Sequence, residues 1–397
     1  MRAFLEWLDA EFSEDRAKVM AVCGLLPFVM VASFVMWKTI FVQWNGGYVF
    51  GFDFSSFWAA AKLAVAGNAE WAFDIERFDP LQDLAGKLPG KLYWHYPPTW
   101  VTLLYPLGYL TPSAALIVFV ALTTAVWVLC VRLMIPGGWT NAIAVLLCPA
   151  AYLNFVGGQN GTLVAGALCL FIYGVLHRKD WMIVLACTLL LAKPHFGVLM
   201  PVVLIALGRW RAFGLAAFFG SAFLVFSIWL TGLAYLEAFL GNVNTVASAI
   251  KGEQLLRMQH SAYAFVRSMG LGQTASLSLQ IPIALIAIAA CWIAFRVDRV
   301  SSDLRIAVFL IGSVMISPYA FQYDLPVAAI GMWFLHKASR YNPVPGQNVV
   351  LAMAWFFPIL GRALHTQTDI SFLFVPLALL AAVTIVHLGR EAFTNAI

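Results

Sequence analysis

The chain has 397 residues, of which 62% are hydrophobic and only 11% are charged, and its mean hydropathy is +0.84. In ordinary soluble domains about a quarter of all residues are charged. This composition therefore excludes a soluble globular domain and indicates a polytopic membrane protein. The formal net charge of +5 does not indicate nucleic-acid binding, because the basic residues form short clusters between apolar runs, as topology requires.

Apolar runs recur along the full length, and we therefore treat residues 1–397 as a single integral membrane domain. The start does not resemble a cleavable signal peptide, so the first run is expected to remain in the mature protein. The candidate membrane segments are residues 19–42, 111–133, 141–156, 160–176, 181–192, 195–207, 212–231, 275–297, 304–318, 325–336, 348–362 and 371–388. They predict an all-α fold with about 10–12 transmembrane helices. The run 97–110 is broken by prolines and is predicted to be a short interfacial or re-entrant element.

The basic residues between these segments predict the orientation. If the segments alternate, the basic connections fall on one side: Arg132, 177–180, 208–211, 296–305, 337–340 and Arg390. This side is assigned to the cytoplasm, together with both termini. The other side receives two long segments, 43–110 and 232–274, which exceed the length of simple connectors and are expected to be functional. The Ala-rich run 55–66, which ends at Gly67, predicts a helix along the membrane interface.

The unusual polar motifs map to the non-cytoplasmic ends of the predicted segments. They are "FDF" at 52–54, "HYPPTW" at 95–100, "GGQNGT" at 157–162, "AKPHFG" at 192–197, the polar residues 258–260 and "SPYAFQYD" at 317–324. Because alternating spans bring these ends to the same face, we expect the motifs to converge on one cavity.

Asp53 lies among aromatic residues after the first long apolar run. A carboxylate held near the bilayer surface can take a proton from a hydroxyl that attacks an electrophilic carbon, so Asp53 is the candidate general base. A helix N-cap is the alternative, because Ser55, Ser56 and an Ala-rich run follow directly. Glu70 and Asp74 are weaker candidates, since Asp74 stands in a charged run typical of a solvated helical face.

Lys193 interrupts an apolar stretch and is followed by the helix breaker Pro194. A lysine at the centre of a membrane helix costs about 2.5–3.5 kcal/mol on insertion scales, so an intramembrane cation indicates function. We interpret Lys193 and His195 as candidate ligands of an anionic phosphate, and snorkelling of the lysine to the interface is the alternative. Arg257 and His260, in the second long segment, are candidates for the same phosphate or for a lipid headgroup.

Further polar residues are candidates for substrate contacts. They are His95, Tyr96, Gln159, Asn160, Gln322, Tyr323 and Asp324. The first two adjoin a proline pair that most simply forms a rigid turn, and the next two stand in a tight interhelical turn. The last three follow a Ser-Pro pair near a span end, where they either hold a ligand or anchor the helix.

No disulfide framework, metal site or cofactor is predicted. The six cysteines fall inside predicted spans without a C-x-x-C pair. The sequence also contains no D-x-D motif that would hold a divalent ion.

The order of these motifs resembles glycosyltransferase family 87. A first span followed by "FDFSSFWAAAKLAVAGNAEWAFD", "YPPTWVTLLYPLGYL", "GQNGTL", "AKPHFGVLMPVVLIALGRW" and "SPYAFQYDLPV" is similar to that family from about residue 20 to 340. The family comprises integral-membrane enzymes of the GT-C type and includes a mycobacterial mannosyltransferase that acts on phosphatidylinositol mannosides.

The resemblance implies helices on the extracytoplasmic surface, a polyprenyl-phosphate-linked sugar donor and metal-independent transfer with inversion. It implies that Asp53 is the catalytic base and that Lys193 and His195 occupy the family's K-P-[Q/H] position. Where the mycobacterial branch has histidines toward the donor phosphate, this chain has "QYD" at 322–324. The expected function is transfer of a hexose such as mannose to a hydroxyl of a lipid or glycan acceptor, at the periplasmic face of the bacterial inner membrane.

Two functions of other classes stay open. A transporter or flippase for a lipid-linked sugar fits the helix break at Pro194, although the long segments lie on one side only and no internal repeat is visible. A non-catalytic membrane scaffold leaves Asp53 and Lys193 without a role.

Overall fold

The computed structural model describes residues 51–85, 92–137, 139–249, 256, 258–368 and 370–393. The first predicted span and Arg257 lie outside these residues. The regular structure of the described part is helical, apart from one isolated antiparallel bridge between Gln259 and Phe321.

The helices follow one another with short connections. In chain order the α-helices are α1 (Phe54–Val65), α2 (Ile75–Ala85), α3 (Pro98–Leu104), α4 (Pro112–Met134), α5 (Trp139–Leu146), α6 (Pro149–Gly157), α7 (Gly161–Leu176), α8 (Asp180–Leu190), α9 (Leu199–Ala206), α10 (Trp210–Thr231), α11 (Leu233–Ala249), α12 (Ala262–Ser268), α13 (Gln273–Arg296), α14 (Ser302–Ile316), α15 (Pro326–Ser339), α16 (Gln347–Thr368) and α17 (Phe374–Phe393). Short 3-10 helices lie at Ala69–Phe73, Tyr105–Tyr109, Pro194–Phe196 and Gln322–Asp324.

The all-α polytopic class is confirmed, and one local prediction needs correction. The predicted segment 141–156 is two helices, α5 and α6, because Cys148 is extended and Pro149 begins a new helix. The predicted helix 55–66 exists as α1 and ends before Gly67 (φ 77°). Ten of its twelve residues are buried.

Helix length separates an outer layer from an inner one. Among the described residues, four helices, α4, α10, α13 and α17, are long and apolar enough to cross a bilayer, and only 17% to 44% of each span is buried. Helix α14, by contrast, has 15 residues and buries twelve of them. A helix of that length rises about 22 Å, which is less than the hydrocarbon thickness of about 30 Å. Helix α14 is therefore too short to cross the hydrocarbon core by itself.

Helices α8 and α9 form a short hairpin whose apex is the Lys193 segment. At its base Arg209 donates to Asp180 (2.5 Å), which joins the end of α9 to the start of α8. Helix α8 has only 11 residues, a rise of about 16 Å. At the apex the Lys193 side chain is buried, whereas Pro194 and Val198 beside it are exposed.

The basic connections lie at the opposite end of the inner helices from this apex. Lys337 pairs with Asp303 (3.0 Å), which joins the end of α15 to the start of α14. The other ends of α14 and α15 meet at residues 317–325, beside the start of α7. Polar motifs and basic clusters are thus separated along the length of the bundle.

The first long segment packs as a separate aromatic core. Phe57 contacts the rings of Trp94, Tyr96 and Trp100 in edge-to-face geometry, with centroids 5.2–6.3 Å apart. Tyr235 of α11 ties this core to the second long segment, because its hydroxyl accepts from Trp94 Nε1 (2.6 Å) and donates to the Tyr96 carbonyl (2.8 Å). The backbone that carries His95 and Tyr96 is therefore held rigidly.

Candidate active site

The turn between α6 and α7 holds Asp53. Helix α6 ends at Gly157, and Gly158 adopts the left-handed conformation (φ 64°) that commonly terminates a helix. Carbonyls at a helix end lack intrahelical partners, and those of Val156 and Gly157 accept from the N–H groups of Gly51 (2.9 Å) and Asp53 (3.0 Å). A Cβ atom on Gly157 would lie only 3.1 Å from Asp53 Oδ2. Glycine at position 157 therefore leaves room for the Asp53 carboxylate beside the turn.

The Asp53 side chain does not cap α1. Asp53 precedes the helix, but its carboxylate makes no capping hydrogen bond. The Ser55 and Ser56 hydroxyls donate to the carbonyls of Phe52 (2.8 Å) and Asp53 (2.7 Å) instead. The alternative role that the sequence left open for Asp53, an N-cap, is therefore not supported.

The first residue of α7 packs directly on the "QYD" segment. A Cβ atom on Gly161 would lie 1.8 Å from the Tyr323 carbonyl oxygen, so only glycine fits there. The Asn154 side chain caps α7, since its Oδ1 accepts from the N–H groups of Gly161 (2.6 Å) and Thr162 (3.2 Å). The "GGQNGT" turn consequently touches Asp53 at one end and Tyr323 at the other.

We expect Gly161→Ala to destabilise the protein and to lower its activity. The added methyl group would collide with backbone, and overpacking of this kind typically costs about 1–3 kcal/mol. The measurement is the melting temperature in detergent. Gly214→Ala is the matched control, because no atom lies within 4 Å of the added Cβ; equal melting temperatures for the two variants would contradict the close approach.

Lys193 and Asp324 form a buried ion pair. Lys193 Nζ lies 2.7 Å from Asp324 Oδ1, and the two side chains are 7% and 0% exposed. Asp324 Oδ2 also accepts from the N–H of Phe321 (3.2 Å). A snorkelling lysine would expose its ammonium group, so this alternative does not fit the structure.

Aromatic rings complete the surroundings of the ammonium group. Lys193 Nζ lies 5.1 Å from the ring centroid of Tyr323 and 5.8 Å from that of Phe196. Such contacts stabilise a desolvated cation. One N–H of Lys193 donates to Asp324, and an ammonium group has three, so the site retains capacity to donate to an anion.

Two tyrosines lie within electrostatic range of both carboxylates. Burial raises the pKa of Tyr96, and the carboxylates of Asp324 and Asp53 raise it further. Burial also raises the pKa of Tyr323, to which Tyr96 and the same two carboxylates contribute. Both phenols therefore remain protonated. The charges of Asp53 and Asp324 affect the same two tyrosines, so these four residues form one cluster.

His95 and His195 lie on the Lys193 side of the cluster. His95 is exposed, and its ring Nδ1 lies 3.0 Å from the Tyr93 carbonyl. Desolvation by surrounding protein atoms lowers the pKa of His95, the Tyr93 contact opposes this effect, and the Lys193 charge adds to it. His195 is half-buried and lies within electrostatic range of both Lys193 and His95. Lys193 is therefore the cation of this group.

A backbone hydrogen bond holds His260 beside the cluster. Its N–H donates to the Ala320 carbonyl (2.7 Å), while its ring Nδ1 lies 3.2 Å from the Leu373 carbonyl. Burial lowers the pKa of His260 to about 3, against the effect of the Leu373 contact. The ring is therefore neutral at physiological pH. Arg257, the other predicted phosphate ligand of this segment, lies outside the described residues.

Three buried amides of the site have oxygens without a partner among the described residues: Gln159 Oε1, Asn160 Oδ1 and Gln322 Oε1. A Cβ atom on Gly157 would lie 3.5 Å from Gln159 Cγ and 3.1 Å from Asp53 Oδ2. Asn160 lies close enough to Tyr96 to lower the pKa of its phenol. Buried acceptors normally find donors, so these oxygens are candidate acceptors for the hydroxyls of a ligand.

Sequence reasoning missed two residues that organise this site. Asn154 caps α7, and the Thr99 hydroxyl donates to the Leu191 carbonyl (2.7 Å), which ties the Tyr96 segment to the Lys193 segment. In the apolar run 149–156, Asn154 and Tyr152 are the residues with polar side-chain groups. An amide in such a run is a signal that could have identified Asn154. Thr99 carries no such signal.

The family model described as Glycosyltransferase family 87 matches residues 94–318. This range contains His95, Asn160, Lys193 and His260, whereas Asp53 precedes it and Asp324 follows it. No curated protein and no solved structure matches the chain.

Proposed function

The chain belongs to glycosyltransferase family 87, whose model covers more than half of its 397 residues, and from this premise we propose its substrates and mechanism. The protein is a membrane glycosyltransferase. We propose that it transfers a hexose, with mannose as the first candidate, from a polyprenyl-phosphate donor to a hydroxyl of a lipid or glycan acceptor. The reaction takes place at the extracytoplasmic face and inverts the anomeric configuration.

One observation carries this proposal: a carboxylate and a buried ammonium group converge on one cluster from distant parts of the chain. The charge of Asp53 affects Tyr96, and the charge of Lys193 affects His95. Tyr96 and His95 are neighbours in sequence, so both charges reach the same group of side chains. A single displacement needs a base on one side of the anomeric carbon and positive charge at the leaving group on the other. The cluster contains both.

Lys193 would act at the donor phosphate. When the bond from the anomeric carbon to the phosphate oxygen breaks, the leaving polyprenyl phosphate gains a negative charge. A preorganised ammonium group in a site of low dielectric stabilises that charge, which is usually the largest catalytic contribution. The N-termini of α7 and α15 lie at the same place, and positive helix ends favour anions.

Asp53 would act at the acceptor. The acceptor oxygen forms the new bond to the anomeric carbon, its proton passes to the Asp53 carboxylate, and the phosphate leaves from the opposite face. The amide oxygens of Gln159, Asn160 and Gln322 would accept hydrogen bonds from sugar hydroxyls, and His95, Tyr96 and Tyr323 would line the same space. His195 and His260 would assist at the phosphate as neutral hydrogen-bonding groups.

The direct test is a transfer assay with the purified protein. We expect a glycosidic product from polyprenyl-phosphate mannose and a lipid or glycan acceptor, and none from a nucleotide-linked mannose at the same concentration, because we propose that Lys193 binds the single phosphate of an isoprenoid donor. The product is measured by mass spectrometry, and its anomeric configuration by NMR.

Two outcomes would contradict this proposal. Product from the nucleotide sugar alone would overturn the donor assignment. Movement of the lipid-linked sugar across proteoliposomes without any glycosidic product would favour the transporter that the sequence left as an alternative.

A further inference from the structure

A groove between α8 and α10 lies on the outer surface of the bundle. It has a volume of about 750 Å³ and extends from Asp180 and Arg211 at the basic end to Thr188 and Phe226. Only 17% of the α10 span is buried, so this helix presents the groove to the outside. Neither Asp53 nor Lys193 lines it.

The walls of the groove are apolar. They are formed by Val184, Leu185, Leu215, Phe219, Ala222 and Phe223. The one hydroxyl in the walls, that of Thr188, donates to the Val184 carbonyl (2.9 Å) and is thus occupied. A polar ligand would lose its hydrogen bonds to water without replacing them. A hydrocarbon chain makes no hydrogen bonds to water and therefore loses none in the groove.

The rim at the basic end is positively charged. It is lined by Arg211 and Asp180, and the adjoining residues Arg178, Lys179 and Arg209 bring four basic residues against one acidic residue. Arg209 engages Asp180 at 2.5 Å, whereas Arg211 is 3.8 Å from it and 86% exposed. Trp181 and Trp210 are exposed beside the rim, and tryptophans of this kind mark a membrane interface.

We propose that this groove binds one phospholipid with an anionic headgroup. The phosphate lies at Arg211, and an acyl chain fills the apolar part of the groove between α8 and α10. Charge complementarity at the rim selects an anionic over a zwitterionic headgroup, and each nearby basic residue contributes about fivefold to that attraction.

Native mass spectrometry of the full chain tests the site. The protein is presented with equal concentrations of phosphatidylglycerol and phosphatidylcholine that carry identical acyl chains. We expect preferential retention of one phosphatidylglycerol molecule. Arg211→Gln should reduce that preference about fivefold. Ala222→Trp should release both lipids by filling the groove; Ala222 is exposed, so the fold should survive, as an unchanged melting temperature would verify.

Arg296→Gln is the matched control, because Arg296 is an exposed basic residue at the end of α13, outside the groove. Equal retention of the two lipids by the wild type would overturn the proposal. So would an equal loss of preference in Arg296→Gln, which would indicate unspecific attraction. Displacement of phosphatidylglycerol by an equal concentration of polyprenyl phosphate would instead assign the groove to the isoprenoid and overturn the phospholipid assignment.

Discussion

Replacing Asp53 by asparagine is expected to lower the rate of sugar transfer about 10²- to 10⁴-fold, the usual contribution of a general base. Asparagine has the same shape as aspartate, so the contact with Gly157 and the backbone bond to its carbonyl persist. The amide cannot take the proton of the attacking hydroxyl. The measurement is the initial rate at saturating donor and acceptor, with the melting temperature as a check on folding.

Asp74→Asn is the control for this prediction. Asp74 belongs to the same long segment, but it lies 3.1 Å from Arg77 in an exposed pair with side chains 44% and 52% accessible. Exposed pairs of this kind contribute little to stability, and Asp74 lies just before α2, which begins at Ile75. Its removal should leave the rate unchanged. Transfer by Asp53→Asn within about threefold of the wild type would exclude Asp53 as the base.

The second large effect is expected at the Lys193–Asp324 pair, where three variants separate stability from catalysis. Lys193→Met leaves the Asp324 carboxylate buried without its partner, and breaking a buried pair in this way typically costs about 3–5 kcal/mol. The double variant Lys193→Met/Asp324→Asn removes both charges and should recover most of that loss. Denaturation in detergent measures both changes.

Donor use should not recover in the double variant. Removing one preorganised donor from a developing anion typically costs about 10²- to 10³-fold in rate, and both variants without the Lys193 ammonium lack it. Asp324→Asn alone keeps the ammonium and the contact with the Phe321 N–H, so its rate should fall less. A double variant with restored stability and near wild-type transfer would show that the pair is purely structural.

The sequence by itself determined the fold class and most helix positions, because hydropathy and helix breaking are local properties. Each run long enough to bury its backbone in a bilayer must be helical, and proline or glycine residues mark the ends, as Gly67 does for α1. The same local reasoning failed at residues 141–156, where Pro149 begins a second helix within one apolar run.

The sequence also identified Asp53, Lys193 and Tyr323 as unusual polar residues at the same ends of the predicted spans. Only the tertiary structure decided their partners. Lys193 and Asp324 are 131 positions apart, and the approach of Asp53 to Gly157 depends on a glycine in a different motif. Charge pairing and close backbone contact depend on packing between distant segments, which no local pattern records.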